Sequence, residues 1–485
     1  MLRNLFLGGL IFLVVCQAGC ITRERYAYDA IQQDVLAEGN HRIRGLAHPE
    51  KILPDGPLAL KEAIHIAVVN NPDRQMAAAR IRQTEALIAK SRAAFYPALN
   101  FYTEYLRGNA PSAYLFKRLD QREFNFAEDF NDPDVFDNFE SGLNARWNIY
   151  QGGRDQLDHQ MAAAGREISL QDHQAVINAL VASVIQTYYD YLTAEAFLAI
   201  ARDSVATVDD QLRVMTVRYQ EGGALKSDVL SLQVRRSEAR EEEVRSRNRM
   251  ELARTALANI LGIGIRQPLT LKETDGAALE IPDQFEAGLA YALQARPEIR
   301  GLHEKVRQSR MAVDKAKTGY IPSIDAFGRL YYDDEDMDYD WDEDNWTAGI
   351  LFNWEFFRGF STRAQTHEAQ AVFEEMLHRD RKTTLAVELE VKTAYLALEE
   401  ARARLEVARN RVANADESLK LVGHQYKGGS ATITRYLEAE LARNQAHMSQ
   451  AAAFYDREKA IADIARAIGY LAAAYPANDN PGTTP

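Results

Sequence analysis

Apolar residues recur every three to four positions in two long stretches of the chain, a spacing that predicts amphipathic helices. The stretches span residues 154–221 and 360–427, and neither contains a proline, so each predicts a rod of about 100 Å. The stripes consist of Ile177, Leu180, Val184, Tyr188, Tyr191, Val205, Val208 and Leu212 in the first rod and Leu389, Leu396, Leu405, Val412, Leu419 and Val422 in the second. Paired glycines after each rod predict a reversal into return helices over 226–261 and 432–468.

Four shorter segments alternate apolar and polar residues with a period of two, which is typical of β-strands. The alternation is strong in 141–150 and 346–356 and weaker in 98–107 and 323–332. About ten residues with one apolar face also fit a strand that crosses a bilayer, although a soluble two-stranded sheet is the alternative. Since the predicted long helices are rods, we expect no helix to cover these hairpins.

Four strands cannot close into a barrel, and an open sheet edge cannot lie in lipid. A membrane barrel would therefore be shared between copies of the chain. Two copies would give eight strands with an interior filled by side chains, whereas three would give twelve strands and a lumen. A channel therefore needs at least a trimer.

The chain contains an internal duplication. Residues 70–100 match 295–325 at an offset of 225. Later matches have an offset of 207 and pair Trp147 with Trp354, Tyr219 with Tyr426, and Gly262 with Gly469. The 18-residue difference between the offsets predicts an exposed loop between Pro97 and Trp147. The predicted segments are repeat 1 (58–263), an inter-repeat linker (264–284), repeat 2 (285–470) and a flexible C-terminal tail (471–485).

Residues 1–19 have the features of a secretory signal peptide, with Arg3 followed by an apolar run and small residues before Cys20. The segment QAGC resembles a bacterial lipobox, in which Cys20 would become the acylated first residue of the mature chain. The alternative is an ordinary signal peptide with an incidental cysteine. Lipidation would make 20–57 a lipid-anchored extension, and Ile21, rather than Asp, at the next position indicates retention at the outer membrane.

Composition and motifs exclude several classes of function. The chain carries 57 Lys and Arg against 70 Asp and Glu, and its net charge of −13 argues against nucleic acid as a partner. Cys16 and Cys20 are the only cysteines, so no cysteine zinc site lies downstream. Without a metal-binding histidine pattern or a catalytic triad, we expect no cofactor and no enzymatic activity. The acidic segment 333–344 predicts a solvated external loop, and calcium binding stays open although the EF-hand spacing is absent.

The ordered set of motifs resembles the TolC-like outer-membrane efflux proteins over about residues 58–470. The resemblance rests on LALKEAIHIAVVNNP, on the aromatic-glycine turns YQGG and FRGF, and on RYQEGG followed by DVL. It implies a mainly α fold with a small β part, built from two tandem repeats. It also implies a homotrimer whose 12-stranded outer-membrane barrel continues into a long periplasmic helical barrel. A periplasmic adaptor and an inner-membrane pump would then dock below the trimer.

The same resemblance places a periplasmic gate and adaptor contact at the ends of the rods. The matching positions are Tyr219, Gly222, Asp228, Tyr426, Gly429 and Arg435. In the family, polar links between a first-repeat Asp and a second-repeat Tyr and Arg hold the pore closed, and Asp228 and Tyr426 fit two of these roles. Ala431 stands at the Arg position, and Arg435 stands where an acidic residue is frequent. The alternative is that these residues only cap a helical turn.

Three functions remain open from the sequence. The first is the exit duct of a tripartite efflux pump, which passes small molecules from the periplasm to the outside. The second is the outer-membrane channel of a type I protein or peptide secretion system. The third is a soluble periplasmic coiled-coil scaffold, against which the apolar strand faces argue.

Overall fold

The structure is a computed structural model that describes residues 56–125, 127, 129–273, 279–336 and 344–476. The first repeat contains α1 (Leu60–Asn70), α2 (Pro72–Arg92), β1 (Ala98–Gly108), α3 (Pro111–Asp120), β2 (Phe136–Gln151), α4 (Arg154–Gln220) and α5 (Lys226–Ile260). The second contains α6 (Phe285–Ala295), α7 (Pro297–Lys317), β3 (Ser323–Asp334), β4 (Asn345–Asn353), α8 (Ser361–Lys427) and α9 (Ile433–Ala467). A short helix, α10 (Tyr470–Ala474), follows. The predicted mainly α fold with a small sheet is confirmed.

The two rods have equal lengths, and so do the two return helices. Helices α4 and α8 each contain 67 residues, and α5 and α9 each contain 35. A helix of 67 residues is about 100 Å long at the α-helical rise. In the part of the chain that the structure describes, no helix is long and apolar enough to cross a membrane.

Three sequence expectations need correction. The connection between β1 and β2 contains the helix α3, which was expected to be a loop, and α3 packs on the sheet that no helix was expected to cover. Strand β2 begins at Phe136, before the predicted residue 141, and β4 ends at Asn353, before the predicted residue 356. The C-terminal tail is predicted to be flexible from residue 471, but its first residues belong to α10. They are ordered because Leu471 is fully buried in the core. Residues 477–485 lie outside the described residues.

The four strands form one antiparallel sheet in the order β1-β2-β3-β4. The register pairs Trp147 with Ala326 and Ala326 with Ile350, so the apolar positions of β2 and β4 share one face. Polar positions such as Asn144 and its partner Arg329 lie on the opposite face. Strands β1 and β4 are the two edges, and neither has an outer partner among the described residues.

The long helices form a layer four helices wide. In the half away from the sheet, α4 packs between α5 and α9, and α9 packs between α4 and α8. In the half near the sheet, α2 and α7 replace α5 and α9, so the order becomes α2-α4-α7-α8. The two repeats therefore contribute equivalent pairs of helices along the whole layer.

A buried core at mid-height fastens the inter-repeat segment to the layer. Tyr188 of α4 donates hydrogen bonds to the carbonyl oxygens of Leu58 at 2.9 Å and Lys272 at 2.6 Å. Tyr191 donates to the carbonyl oxygen of Leu269 at 3.2 Å, and Leu58 forms a parallel bridge with Leu271. The first part of the linker is therefore fixed by buried hydrogen bonds.

In both repeats, a side chain from an equivalent position binds a backbone carbonyl at the end of the return helix. The Asn71 amide donates to the carbonyl oxygen of Ile260 at the end of α5, at 3.0 Å. The Arg296 guanidinium occupies the equivalent position and donates to the carbonyl oxygen of Ala467 at the end of α9, also at 3.0 Å. Carbonyls in the last turn of a helix lack partners within the helix, so these side chains satisfy exposed ends.

A buried polar network joins the repeats closer to the ends of the rods. The Glu440 carboxylate of α9, which is 2 % exposed, accepts hydrogen bonds from Ser204 Oγ at 2.9 Å and Asn444 Nδ2 at 2.6 Å. Arg235 of α5 forms an ion pair with Glu440 at 3.4 Å. This network connects α4, α5 and α9, and it gives the buried carboxylate a charged partner.

We predict that Glu440→Ala lowers the free energy of unfolding by about 3 kcal/mol, because the largely buried Arg235 keeps only the exposed Glu238 carboxylate, at 3.2 Å, and because Ser204 and Asn444 lose their acceptor. The matched control is Glu417→Ala, which removes an exposed carboxylate paired with Lys420 at 3.4 Å and should cost under about 1 kcal/mol. Denaturant titration of the purified protein in detergent, followed by circular dichroism, measures both. Equal losses in the two variants would contradict a special role for the network.

Candidate functional site

The two helical hairpins reverse in equivalent turns, and the predicted gate residues lie in or beside them. Gly222 has φ +74° and Gly429 has φ +79°, a conformation that favours glycine. The Gly222 N–H donates to the Tyr219 carbonyl oxygen, and the Gly429 N–H donates to the Tyr426 carbonyl oxygen, both at 3.1 Å. We call the two turns and the flanking helix ends the tips. The positive φ angles and the backbone hydrogen bonds of the turns therefore account for glycine at both positions.

Apolar side chains hold the two tips of one chain together. The tip cluster consists of Val208, Met215, Val229, Leu232 and Ile433. Tyr426, which packs against this cluster, stacks on Tyr436 with ring centroids 5.5 Å apart and an interplanar angle of 30°. The hairpin of the second repeat thus packs on the hairpin of the first.

The charged residues of the tip have separate surroundings. Burial raises the pKa of the Tyr426 hydroxyl, the Arg218 guanidinium lowers it, and the Asp228 carboxylate raises it. The Asp228 carboxylate therefore acts on Tyr426 through its charge. Arg435 instead forms an exposed ion pair with Glu438 on its own helix, at 3.7 Å. Within the chain, Tyr426 feels the charge of Asp228, and Arg435 pairs with Glu438.

A second polar site, which the sequence analysis missed, lies at the other end of the molecule. Lys117 of α3 donates to Glu140 Oε2 at 2.5 Å and to Asp333 Oδ1 at 2.8 Å. Gln121 Nε2 donates to Asn138 Oδ1, and Asn138 Nδ2 donates to Asp333 Oδ1, both at 2.7 Å. We call these five residues the mouth network. Its only signal in the sequence is a helix start at Pro111 inside the predicted loop.

Two further predictions fall mostly on residues that the structure leaves undescribed. Cys20 and the predicted signal peptide precede residue 56, where the description begins. Residues 337–343 of the acidic segment are also outside it, so calcium binding there stays a prediction. Among the described residues, no group of three or more His, Cys, Asp or Glu side chains is placed to hold a metal ion.

The sequence and the fold both match known proteins. Residues 63–263 and 289–470 match the family described as "Outer membrane efflux protein". Protein CyaE of Bordetella pertussis is 24 % identical over 418 residues, which is 85 % of each chain. The pyoverdine export outer membrane protein OpmQ of Pseudomonas aeruginosa is 22 % identical over 79 % of each chain.

Solved structures show the same fold. The outer membrane channel CmeC of Campylobacter jejuni superposes with a TM-score of 0.73, at 18 % identity over 85 % of each chain. A membrane protein from Pseudomonas aeruginosa superposes with a TM-score of 0.74, at 21 % identity over 87 % of this chain and 98 % of that one. Because the family match covers both repeats, the chain belongs to the outer membrane efflux protein family, whose members are transport ducts and not enzymes.

Proposed function

We propose that the protein is the outer-membrane exit duct of a tripartite efflux pump, through which small molecules pass passively from the periplasm to the outside. The observation that carries this proposal is the high solvent exposure of the apolar face of the sheet. Ile350 is 73 % exposed, and Leu99, Phe101, Trp346 and Phe352 on the same face are exposed as well. An apolar surface of this kind in a soluble protein would mark an interaction site, and in a strand of about ten residues it suits lipid.

The two open edges support a homotrimer. Strand β1 has 11 residues, and β4 has 9. The unpaired N–H and C=O groups along such edges cannot remain unsatisfied in lipid. Pairing β4 of one copy with β1 of the next continues the antiparallel order. Three copies then close a barrel of twelve strands, which leaves room for a lumen.

The layer of helices supports a duct that continues below the sheet. Three copies of a layer four helices wide would give twelve helices in both halves, matching the twelve strands. Rods of about 100 Å would carry the passage far into the periplasm, so the tips would meet protein partners and not the outer membrane. A periplasmic adaptor and an inner-membrane pump are the partners that this family suggests.

Secretion of proteins or peptides by a type I system is the second candidate. It is favoured by a relative named alkaline protease secretion protein AprF from Pseudomonas aeruginosa, which is 22 % identical over 64 % of each chain. A deletion strain separates the two functions. Sensitivity to small toxic compounds, with an unchanged set of secreted proteins, supports the efflux duct. Loss of a secreted protein without such sensitivity supports secretion.

We predict that Ile350→Arg destabilises the membrane-inserted form by about 2–4 kcal/mol, because it places a charge on the lipid-facing side of β4 near mid-strand. Asn353→Arg should be mild, because residue 353 lies on the opposite face. Leu351→Arg provides a control at almost the same depth, also on the opposite face. Outer-membrane levels and denaturant resistance of the three variants give the comparison. Equal effects at residues 350 and 351 would show that the faces are wrongly assigned.

The tips are proposed as the periplasmic gate and the docking surface for the adaptor. Asp228 and Arg435 stand at equivalent positions of the two repeats and carry opposite charges, so six tips in a trimer would present them alternately. Each exposed pair is worth under about 1 kcal/mol, but several around one constriction can keep it closed.

The double variant Asp228→Ala with Arg435→Ala should raise single-channel conductance in planar bilayers and admit large antibiotics into cells. Arg213→Ala is the control, because Arg213 forms an exposed ion pair with Asp210 within the same rod, at 3.0 Å. Unchanged conductance of the double variant at normal trimer levels would mean that both side chains are ordinary solvated surface.

Cys20 is proposed as the site of a lipid anchor. A single acylated residue binds a membrane weakly, and the barrel would supply the second attachment. We predict that Cys20→Ala abolishes incorporation of labelled palmitate while trimers still form in the outer membrane. Label that persists in this variant would refute the assignment.

A further inference from the structure

Helix α3 occupies the longer of the two connections at the outer end of the sheet. Residues 109–135 join β1 to β2, whereas only residues 335–344 join β3 to β4. The extra length is folded against the sheet, since Tyr114 of α3 packs edge-on against Phe136 of β2 with ring centroids 5.6 Å apart. Helix α3 is therefore an ordered part of the sheet's outer end.

The register identifies which face of the sheet α3 covers. Its partners on β2 are Phe136, Asn138 and Glu140, and Glu140 lies directly opposite Asp333. Successive residues of a strand point to opposite faces. The exposed apolar positions of β2, such as Leu143 and Trp147, have the other parity. Helix α3 thus lies on the polar face, which becomes the inside wall of the barrel if the apolar face meets lipid.

Charged and polar contacts fix the C-terminal half of α3 on this wall. Lys117 is held between the Glu140 and Asp333 carboxylates, both of which are almost fully buried. Beyond the mouth network, Arg118 pairs with Glu335 at 2.7 Å, and Asn345 Nδ2 donates to the Asp120 carbonyl oxygen at 2.9 Å. The two carboxylates would lose their lysine partner if α3 moved away, and this favours the docked position.

The side of α3 that faces away from the sheet is apolar and exposed to solvent. Phe116 is 65 % exposed and Leu119 is 44 % exposed, whereas Tyr114 on the sheet side is buried. Residues 116 and 119 are one turn apart, so they form a single patch on the helix. In a closed barrel this patch would face the axis, and across the axis it would meet the same patches of the other copies.

The dimensions of a twelve-stranded barrel bring three such helices together. With strands about 4.8 Å apart and tilted by about 40°, the backbone cylinder is about 24 Å across, so the wall lies about 12 Å from the axis. A helix with its side chains is about 10 Å thick, so a helix docked on the wall reaches almost to the axis. Three copies of α3 at the same height would therefore meet there.

We propose that α3 is an outer gate, in which Phe116 and Leu119 of three copies meet on the barrel axis and close the mouth to the outside. The proposal rests on the trimeric duct proposed above, and the partner surface is the same patch on two further copies of this chain. Opening requires α3 to leave the inner wall, which breaks the contacts of Lys117. Such a gate stands in series with the tips and excludes large external molecules.

Cross-linking tests the contact between copies. Phe116→Cys, oxidised with copper phenanthroline in outer-membrane vesicles, should give disulfide-linked dimers on a non-reducing gel. Trp346→Cys is the control, because residue 346 is equally exposed but lies on the lipid-facing side at the same end of the sheet. Both variants retain Cys20, so any background from Cys20 is the same. Trimers that form normally but give no Phe116→Cys cross-link would overturn the gate.

Conductance tests the closure. Phe116→Ser with Leu119→Ser changes only side chains that are exposed in the chain, so folding should be preserved. Its single-channel conductance should rise by about twofold or more in the background of the tip double variant, because closed tips in series would otherwise limit the current and hide the change. Replacing residues 109–135 by residues 335–344 should raise it at least as much. Unchanged conductance in both variants would overturn the gate alone, whereas a wild-type protein without trimers or channels would overturn the duct as well.

Discussion

Backbone N–H and C=O groups at the edge of a sheet need partners, and in lipid no water can supply them. In this chain β1 and β4 present two such edges, while the face between them carries exposed residues such as Ile350 and Trp346. The two edges need further strands as hydrogen-bond partners, and the apolar face of the sheet needs an apolar environment. A barrel built from several copies satisfies both demands at once, and the helices beneath the sheet must then close into a ring of matching width.

The duplication makes this matching possible. Because α4 and α8 have the same length, and α5 and α9 also agree, both hairpins of a chain reach the same distance from the sheet. The repeats have diverged at individual side chains while keeping each structural role. Asn71 and Arg296 both bind the last carbonyls of a return helix, although Asn71 is neutral and Arg296 is a buried cation that forms ion pairs with Glu298 and Glu390.

The sequence predicted the elements whose period extends over many residues. The rods, the return helices and the two tip glycines lie where the spacing placed them, because long periodic stripes leave one consistent helical face. Helix α3 was missed because it has ten residues, no counterpart among the described residues of the other repeat, and polar contacts to strands that are distant in sequence. Glu440 could have been found, since it shares a helical face with Ile433, Leu437 and Asn444, where a carboxylate indicates a buried ion pair. The charge pairing that we propose between copies at the tips would depend on an interface between chains, which the pattern of one chain does not determine.

The largest difference between the repeats also has a geometric explanation. Among the described residues, the helix on the polar face belongs to the connection after β1, which is much longer than the connection formed by residues 335–344. Three helices of about 10 Å, together with the inward side chains of the wall, crowd a backbone cylinder of about 24 Å, whereas six helices could not fit within it. A symmetrical duplication would therefore have left no space for both connections to fold inward. The unequal loops let one repeat supply the inward helix while the other supplies Asp333 and Asn345, which hold that helix against the wall.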